Sequence, residues 1–97
     1  MLLSYCVPNF RRDADLARSW PTAVAAAAVS PPVELVLVDY AQDHSHFHMA
    51  HARNVSIRRA NGDYILIGST DFLLAPSLFA HLRELLSQPT ALWLQPA

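Results

Sequence analysis

Short apolar runs alternate with helix-forming and polar segments along the chain. The first run, Leu2 to Val7, is closed by Pro8 and predicts a buried strand. Asp13 is a candidate N-cap for a helix from about Ala14 into the twenties. Pro21 either kinks that helix or opens a second helical piece in its first turn. The Ala-rich stretch beyond favours helix, and Ser30-Pro31-Pro32 stops it. Val33 to Tyr40 is nearly continuous apolar sequence with β-branched content, the pattern of a parallel-sheet strand covered on both faces. A polar, His-rich segment runs from Gln42 to His51, and Ala50 to Ala60 predicts a short helix with Asn61-Gly62 as its C-cap. Tyr64 to Gly68 predicts a third strand. Pro76 and Ser77 open the clearest helix, with Leu78, Phe79, Leu82, Leu85 and Leu86 on one face and Arg83 and Glu84 off it. Pro89 lies beyond its end, and Ala91 to Leu94 predicts the start of a fourth strand.

The order βαβαβαβ implies an α/β fold: a Rossmann-like open parallel sheet with flanking helices on both faces. No internal repeat and no domain boundary interrupts it, and at 97 residues the chain is one small domain. A hydrophobic fraction of 53% against 15% charged residues excludes a disordered tail. The formal net charge is −1 and all seven basic residues are Arg, so no basic excess holds nucleic acid or an anionic membrane. The single Cys6 excludes an internal disulfide and fits a reducing compartment. Ala23 to Val29 is too short to cross a bilayer, and Met1-Leu2-Leu3 lacks the features of a signal peptide. The expectation is a cytoplasmic domain with no transmembrane segment.

Ligands of open α/β sheets bind outside the carboxyl ends of the strands, so the residues following each strand carry the chemistry. After the first strand come Pro8, Asn9, Arg11 and Arg12; Asp39 ends the second; Ser69, Thr70 and Asp71 follow the third. Two carboxylates and an Arg pair on one sheet edge suit a phosphorylated ligand held by Arg and by a divalent cation on a carboxylate. The competing reading makes Asp39 and Asp71 ordinary turn or cap residues.

These segments resemble the N-terminal, nucleotide-sugar-binding half of a family 2, GT-A-type glycosyltransferase. VPNFRRDADL is similar to the opening strand and turn of that family, ELVLVDY to its second strand, and ARNVSIRRANGDYILI to its Ala-Arg-Asn…Gly-Asp-Tyr entry into a strand. STDFLLAP stands where the family carries a metal-binding DxD motif. The resemblance runs from about Ser4 to Leu86, and its specificity lies in the ordered set rather than in any one segment. It implies a nucleotide-sugar site formed by Pro8, Asn9, Arg12, Asp39, Arg53, Asn54, Ser69 and Asp71. It implies a divalent cation, Mg2+ or Mn2+, on Asp71, a glycan, lipid or protein acceptor, and no nucleic-acid partner. Asp39 would contact the nucleoside. The departures are Ser69 in place of the first carboxylate of DxD, Tyr40 and Ala41 after Asp39, and Ser56 where a Gly is frequent. Acceptor site and catalytic base lie, in such enzymes, beyond the equivalent of Ala97. The expectation is therefore a donor half, incomplete and inactive in sugar transfer when isolated.

His44, His46, His48 and His51 offer imidazoles at HxHxHxxH spacing to Zn2+ or Ni2+, but no Cys or carboxylate pattern completes a site, and a solvated loop accounts for them. Arg58-Arg59 reads as a solvated helix face and Cys6 as a buried small hydrophobe. Trp20 and Trp93 read as packing residues and His81 as a boundary residue. Two rivals to transferase function remain. A receiver-like signalling module would want an acidic pair after its first strand and a late Lys, and this chain has neither. A degenerate, non-catalytic domain binding a nucleotide or a partner is the alternative that Ser69 keeps open.

Overall fold

The computed structural model describes residues 1–39 and 49–87. The elements follow in the order β1 (Leu3–Asn9), α1 (Asp13–Val29), β2 (Val33–Asp39), α2 (Met49–Arg59), β3 (Tyr64–Ile67) and α3 (Leu78–Leu86). The three strands form one parallel sheet in the order β2-β1-β3. The α/β class and the flanking helices agree with the sequence pattern. The expected fourth strand at Ala91–Leu94 and Trp93 lie outside the described residues, as do Tyr40, His44, His46 and His48. Among the described residues no helix is long and apolar enough to cross a membrane.

β1 is the centre of the molecule, and all seven of its residues are buried. It runs through Pro8 to Asn9 rather than ending before the proline. Main-chain bonds explain why. Leu3 N–H donates to Pro32 on the β2 side, whereas the Leu2 and Cys6 carbonyls accept from Asp63 and Gly68 on the β3 side. Even-numbered residues of β1 thus turn their main-chain groups toward β3, and pairing with β3 stops at Cys6–Ile67. The N–H that Pro8 lacks would fall beyond that ladder, so the strand loses no bond.

One face of the sheet is apolar. Leu3, Tyr5 and Val7 meet Ala23 and Ala26 of α1 and Phe79 of α3, with Trp20, Leu78, Leu82 and Leu86 packed at the margin. Small residues at Ser19, Ala23 and Ala26 let α1 lie close to the strands. Tyr5 and Phe79 meet edge to face at 5.8 Å between centroids. The opposite face is covered by α2, where the Cys6 thiol donates to the Ser56 carbonyl at 3.8 Å and the Ser56 hydroxyl donates back to Ala52 at 3.0 Å. Ser56 is fully buried. A small residue is needed there because the helix rests on Cys6.

β2 is covered by α1 on one face and α2 on the other, as its apolar run predicts, although β1 is its one strand neighbour among the described residues and most of it is half-buried. Three expectations are corrected. α1 begins at Asp13 itself rather than after it, with Arg12 at the cap position and no side-chain cap bond; of the two readings of Pro21, one helix running through it holds and a second helical piece does not. Gly62 does not form a left-handed cap, since no described glycine has positive φ. It is there for close approach: a Cβ would lie 2.8 Å from the Ser4 amide nitrogen. Arg83, expected off the packed face of α3, is half-buried, and its guanidinium donates to the carbonyls of Met1, Ser30 and Pro32.

Candidate functional site

The chain leaves β1 toward β2 and returns past it to β3, so the strand order reverses between β1 and β3. In open parallel sheets the crevice at such a reversal, outside the carboxyl ends, is where ligands bind. A cleft of about 310 Å3 opens there. β1 and its turn supply Pro8, Phe10 and Arg12, the segment after β3 supplies Gly68 to Asp71, and α2 contributes Arg53. A second depression of about 290 Å3 continues it over Asp15, Arg18 and Leu73, sharing Arg12, Thr70 and Asp71.

The segment after β3 is pinned at both ends. Gly68 N–H donates to the Cys6 carbonyl at 2.7 Å, and Leu74 N–H donates to the Thr22 hydroxyl of α1 at 3.0 Å. Gly68 lies flat on Tyr5, and a Cβ at that position would overlap the phenol. Burial pushes the Tyr5 hydroxyl up to about 12, partly offset by a hydrogen bond with the Ser69 main chain. Tyr5 is therefore a neutral strut beneath the loop. Between the pinned ends, the Thr70 hydroxyl donates to Asp71 Oδ1 at 3.4 Å and Asp71 N–H donates to Ser69 Oγ at 3.4 Å. Asp71 is exposed at the rim.

The turn after β1 is organised by Asn9, which is fully buried. Its Nδ2 donates to Asp13 at 3.0 Å and to Asp39 at 3.2 Å, and its Oδ1 accepts from Arg12 N–H at 3.3 Å. One amide thus joins the ends of β1 and β2 to the start of α1. Arg11 adopts φ 53° and stacks over Phe10 at 5.0 Å. Arg12 lies 3.6 Å from Asp15, which also pairs with Arg18 at 3.0 Å.

Of the site residues expected from the sequence, Pro8, Arg12, Arg53, Ser69 and Asp71 line the cleft. Asn9 and Asp39 lie at the same sheet edge but form a bonded pair away from the cleft wall, and Asn54 is exposed on α2 outside the lining. Sequence reasoning missed Phe10, Gly68 and the Tyr5 strut, and named Thr70 as a strand-end residue without assigning it a ligand role. Gly68 directly after an apolar run was the available signal; Tyr5 carried none, since a buried strand Tyr reads as core. His51 is on the exposed surface of α2. Among the described residues no group of three or more His, Cys, Asp or Glu is placed to hold a metal ion. The donors nearest a cation site are the Asp71 carboxylate and the Ser69 and Thr70 hydroxyls. Comparison with protein-family models, with curated proteins and with solved structures finds no match to this chain.

Proposed function

We propose that the chain is the donor-binding half of a GT-A-type, family 2-like glycosyltransferase, holding a nucleoside-diphosphate sugar for transfer to a glycan, lipid or protein acceptor. The observation that carries the reading is the cleft at the carboxyl ends of β1 and β3. It gathers Arg12, Arg53 and Asp71, three residues that the resemblance assigns to the nucleotide site. Arg12 and Arg53 would meet the diphosphate, as guanidinium groups form charge-assisted bonds with phosphate oxygens. Phe10 offers an apolar surface at the same wall.

A divalent cation is what the resemblance adds. Mg2+ is commonly held by one or two carboxylates together with substrate phosphates. Asp71 with the Ser69 hydroxyl is the smallest such set, so these two would hold the ion. Bound there, it would neutralise the diphosphate as a leaving group. The same Ser69, standing where a second carboxylate would bind the ion more firmly, favours the second reading: a domain that binds nucleotide without transferring sugar.

Calorimetric titration of uridine diphosphate and adenosine diphosphate into the chain tests the reading. Binding of either that is lost in the Arg12→Gln/Arg53→Gln double variant, with its fold unchanged by circular dichroism, is the expected result. No binding of any nucleoside diphosphate would end it.

A further inference from the structure

In parallel α/β proteins phosphate often settles at the helix N-terminus that follows a strand. Here that position is taken by the chain's own acids. The first turn of α1 carries Asp13 and Asp15, with Asp13 bonded to the buried Asn9 amide and Asp15 paired with Arg18. At the start of α1 an anion in the cleft therefore meets carboxylates rather than a free helix terminus. It finds instead two guanidiniums, Arg12 from the β1 turn and Arg53 from α2, with Asp71 the one carboxylate among the described residues that line the first cleft and Asp15 beside Arg12. Arg53 makes no salt bridge among the described residues. Arg12 has one loose contact, 3.6 Å, to an aspartate already engaged by Arg18. Both side chains are exposed and hold charge available for a ligand.

We propose that Arg12 and Arg53 by themselves hold the diphosphate of the ligand, so that anion binding in this cleft does not require a divalent cation. The inference rests on the donor-site reading given above. It differs from it in one respect: the local positive charge comes from the protein, and Asp71 opposes the anion rather than anchoring it through a metal. The sign of the Asp71 effect follows. If a cation carried the diphosphate, Asp71→Asn would weaken binding; if the arginines carry it, removing that negative charge strengthens binding. Binding also falls as salt rises, because the arginines are exposed and screened.

The experiment is calorimetric titration of inorganic pyrophosphate and of uridine diphosphate into the full chain, each in Mn2+ and in EDTA. It is run with wild type, Arg12→Gln, Arg53→Gln and Asp71→Asn, and thermal unfolding checks that each variant is folded. The expected result has three parts. Affinity in EDTA stays within about threefold of that in Mn2+. It drops by about tenfold or more in either Arg variant, the loss of a charged hydrogen bond. It rises in Asp71→Asn. Binding seen only with Mn2+ and lost in Asp71→Asn overturns the inference and leaves the donor-site reading standing. Pyrophosphate binding as tightly as uridine diphosphate in EDTA keeps the inference and removes the nucleotide from the reading. No binding of either ligand in either buffer removes both.

Discussion

Asn9 donates from its buried amide to the Asp39 carboxylate at 3.2 Å, across the last register pair of β1 and β2. The same amide nitrogen donates to Asp13 at 3.0 Å, so one neutral side chain separates two acids that would otherwise face each other. Position 9 thus supports the cleft from below, where a polar residue after a strand would by its type be read as a ligand contact. Asn9→Ala strips both carboxylates of a donor and is expected to cost about 1–3 kcal/mol in urea unfolding. Asn9→Asp, adding a third acid, is expected to cost more. A cost below about 0.5 kcal/mol for Asn9→Ala, the range of an ordinary surface change, would show that the amide does not hold the two strand ends.

Gly68 and Tyr5 make a second such relationship. Gly68→Ala would drive a methyl into the phenol ring. The expected cost is about 1–3 kcal/mol, as for overpacking elsewhere. The Ser69–Asp71 segment would move with it, so the nucleotide binding proposed for the cleft would weaken as well. In a Tyr5→Leu background, where the ring edge and hydroxyl are gone, the cost of Gly68→Ala shrinks. The double-mutant cycle therefore shows coupling above about 0.5 kcal/mol. Additive effects would mean that the glycine is required for some other reason.

At the opposite end of the strands Glu34 gathers three donors: Asn61 N–H and Asn61 Nδ2, both at 2.8 Å, and the Ser4 hydroxyl at 2.9 Å. Its carboxyl is held below the ordinary value of 4.5, first by the Asn61 main-chain bond and then by the two side-chain bonds. A carboxyl with a lowered folded pKa stabilises the fold above its unfolded value, and that contribution is lost as pH falls through the folded value. Urea midpoints between pH 6 and pH 3 are expected to fall less for Glu34→Gln than for wild type. Equal acid sensitivity of the two proteins would refute this origin of the acid limb.

Cys6 carries the sign in the other direction. It is completely buried, and desolvation followed by the charge of Glu34 pushes its thiol up to about 11 from 9.0. Stability from keeping it neutral is full below the unfolded value and is lost as pH rises through about 11. The thiol is expected to resist Ellman's reagent at pH 8 in the native chain and to react at once in urea. Cys6→Ala is expected to flatten the first part of the alkaline limb; the Tyr5 hydroxyl, at about 12, accounts for the later part. Rapid native-state labelling would show that α2 opens away from β1.

The element order was legible because each strand is an apolar run bounded by Pro, Gly or Asp, and because α3 shows helical spacing on one face. Strand position was not legible. VELVLVD is more continuously apolar than LSYCVPN, yet the first forms the half-buried β2 and the second the fully buried β1. Ser4 and Asn9 are tolerated at the centre because each finds bonded partners there, a property of tertiary geometry rather than of local pattern. The cleft was half legible. Strand-end positions picked out Arg12, Ser69 and Asp71, but a list of strand ends cannot tell which flank of β1 the loops enclose. The reversal lies on the β3 flank, and this leaves Asp39 outside the cleft lining.

Arg83 illustrates the same limit and yields the last prediction. Its place off the apolar face of α3 gives no sign of a structural role, but its guanidinium fans across the carbonyls of Met1, Ser30 and Pro32 and the Ser30 hydroxyl. These groups end the α1–β2 turn and begin β1, so α3 is tied to two other segments through one side chain. A planar fork of five donors can serve several acceptors in fixed directions, whereas an ammonium on a flexible stem serves them singly. Arg83→Lys is therefore expected to be far from conservative, with a loss of about 1–3 kcal/mol in urea unfolding. Arg83→Met, which keeps the stem but removes the guanidinium donors from these carbonyls, is expected to lose at least as much. If Lys restored wild-type stability while Met did not, positive charge alone would account for the site, and the directional bonding inferred from the geometry would be wrong.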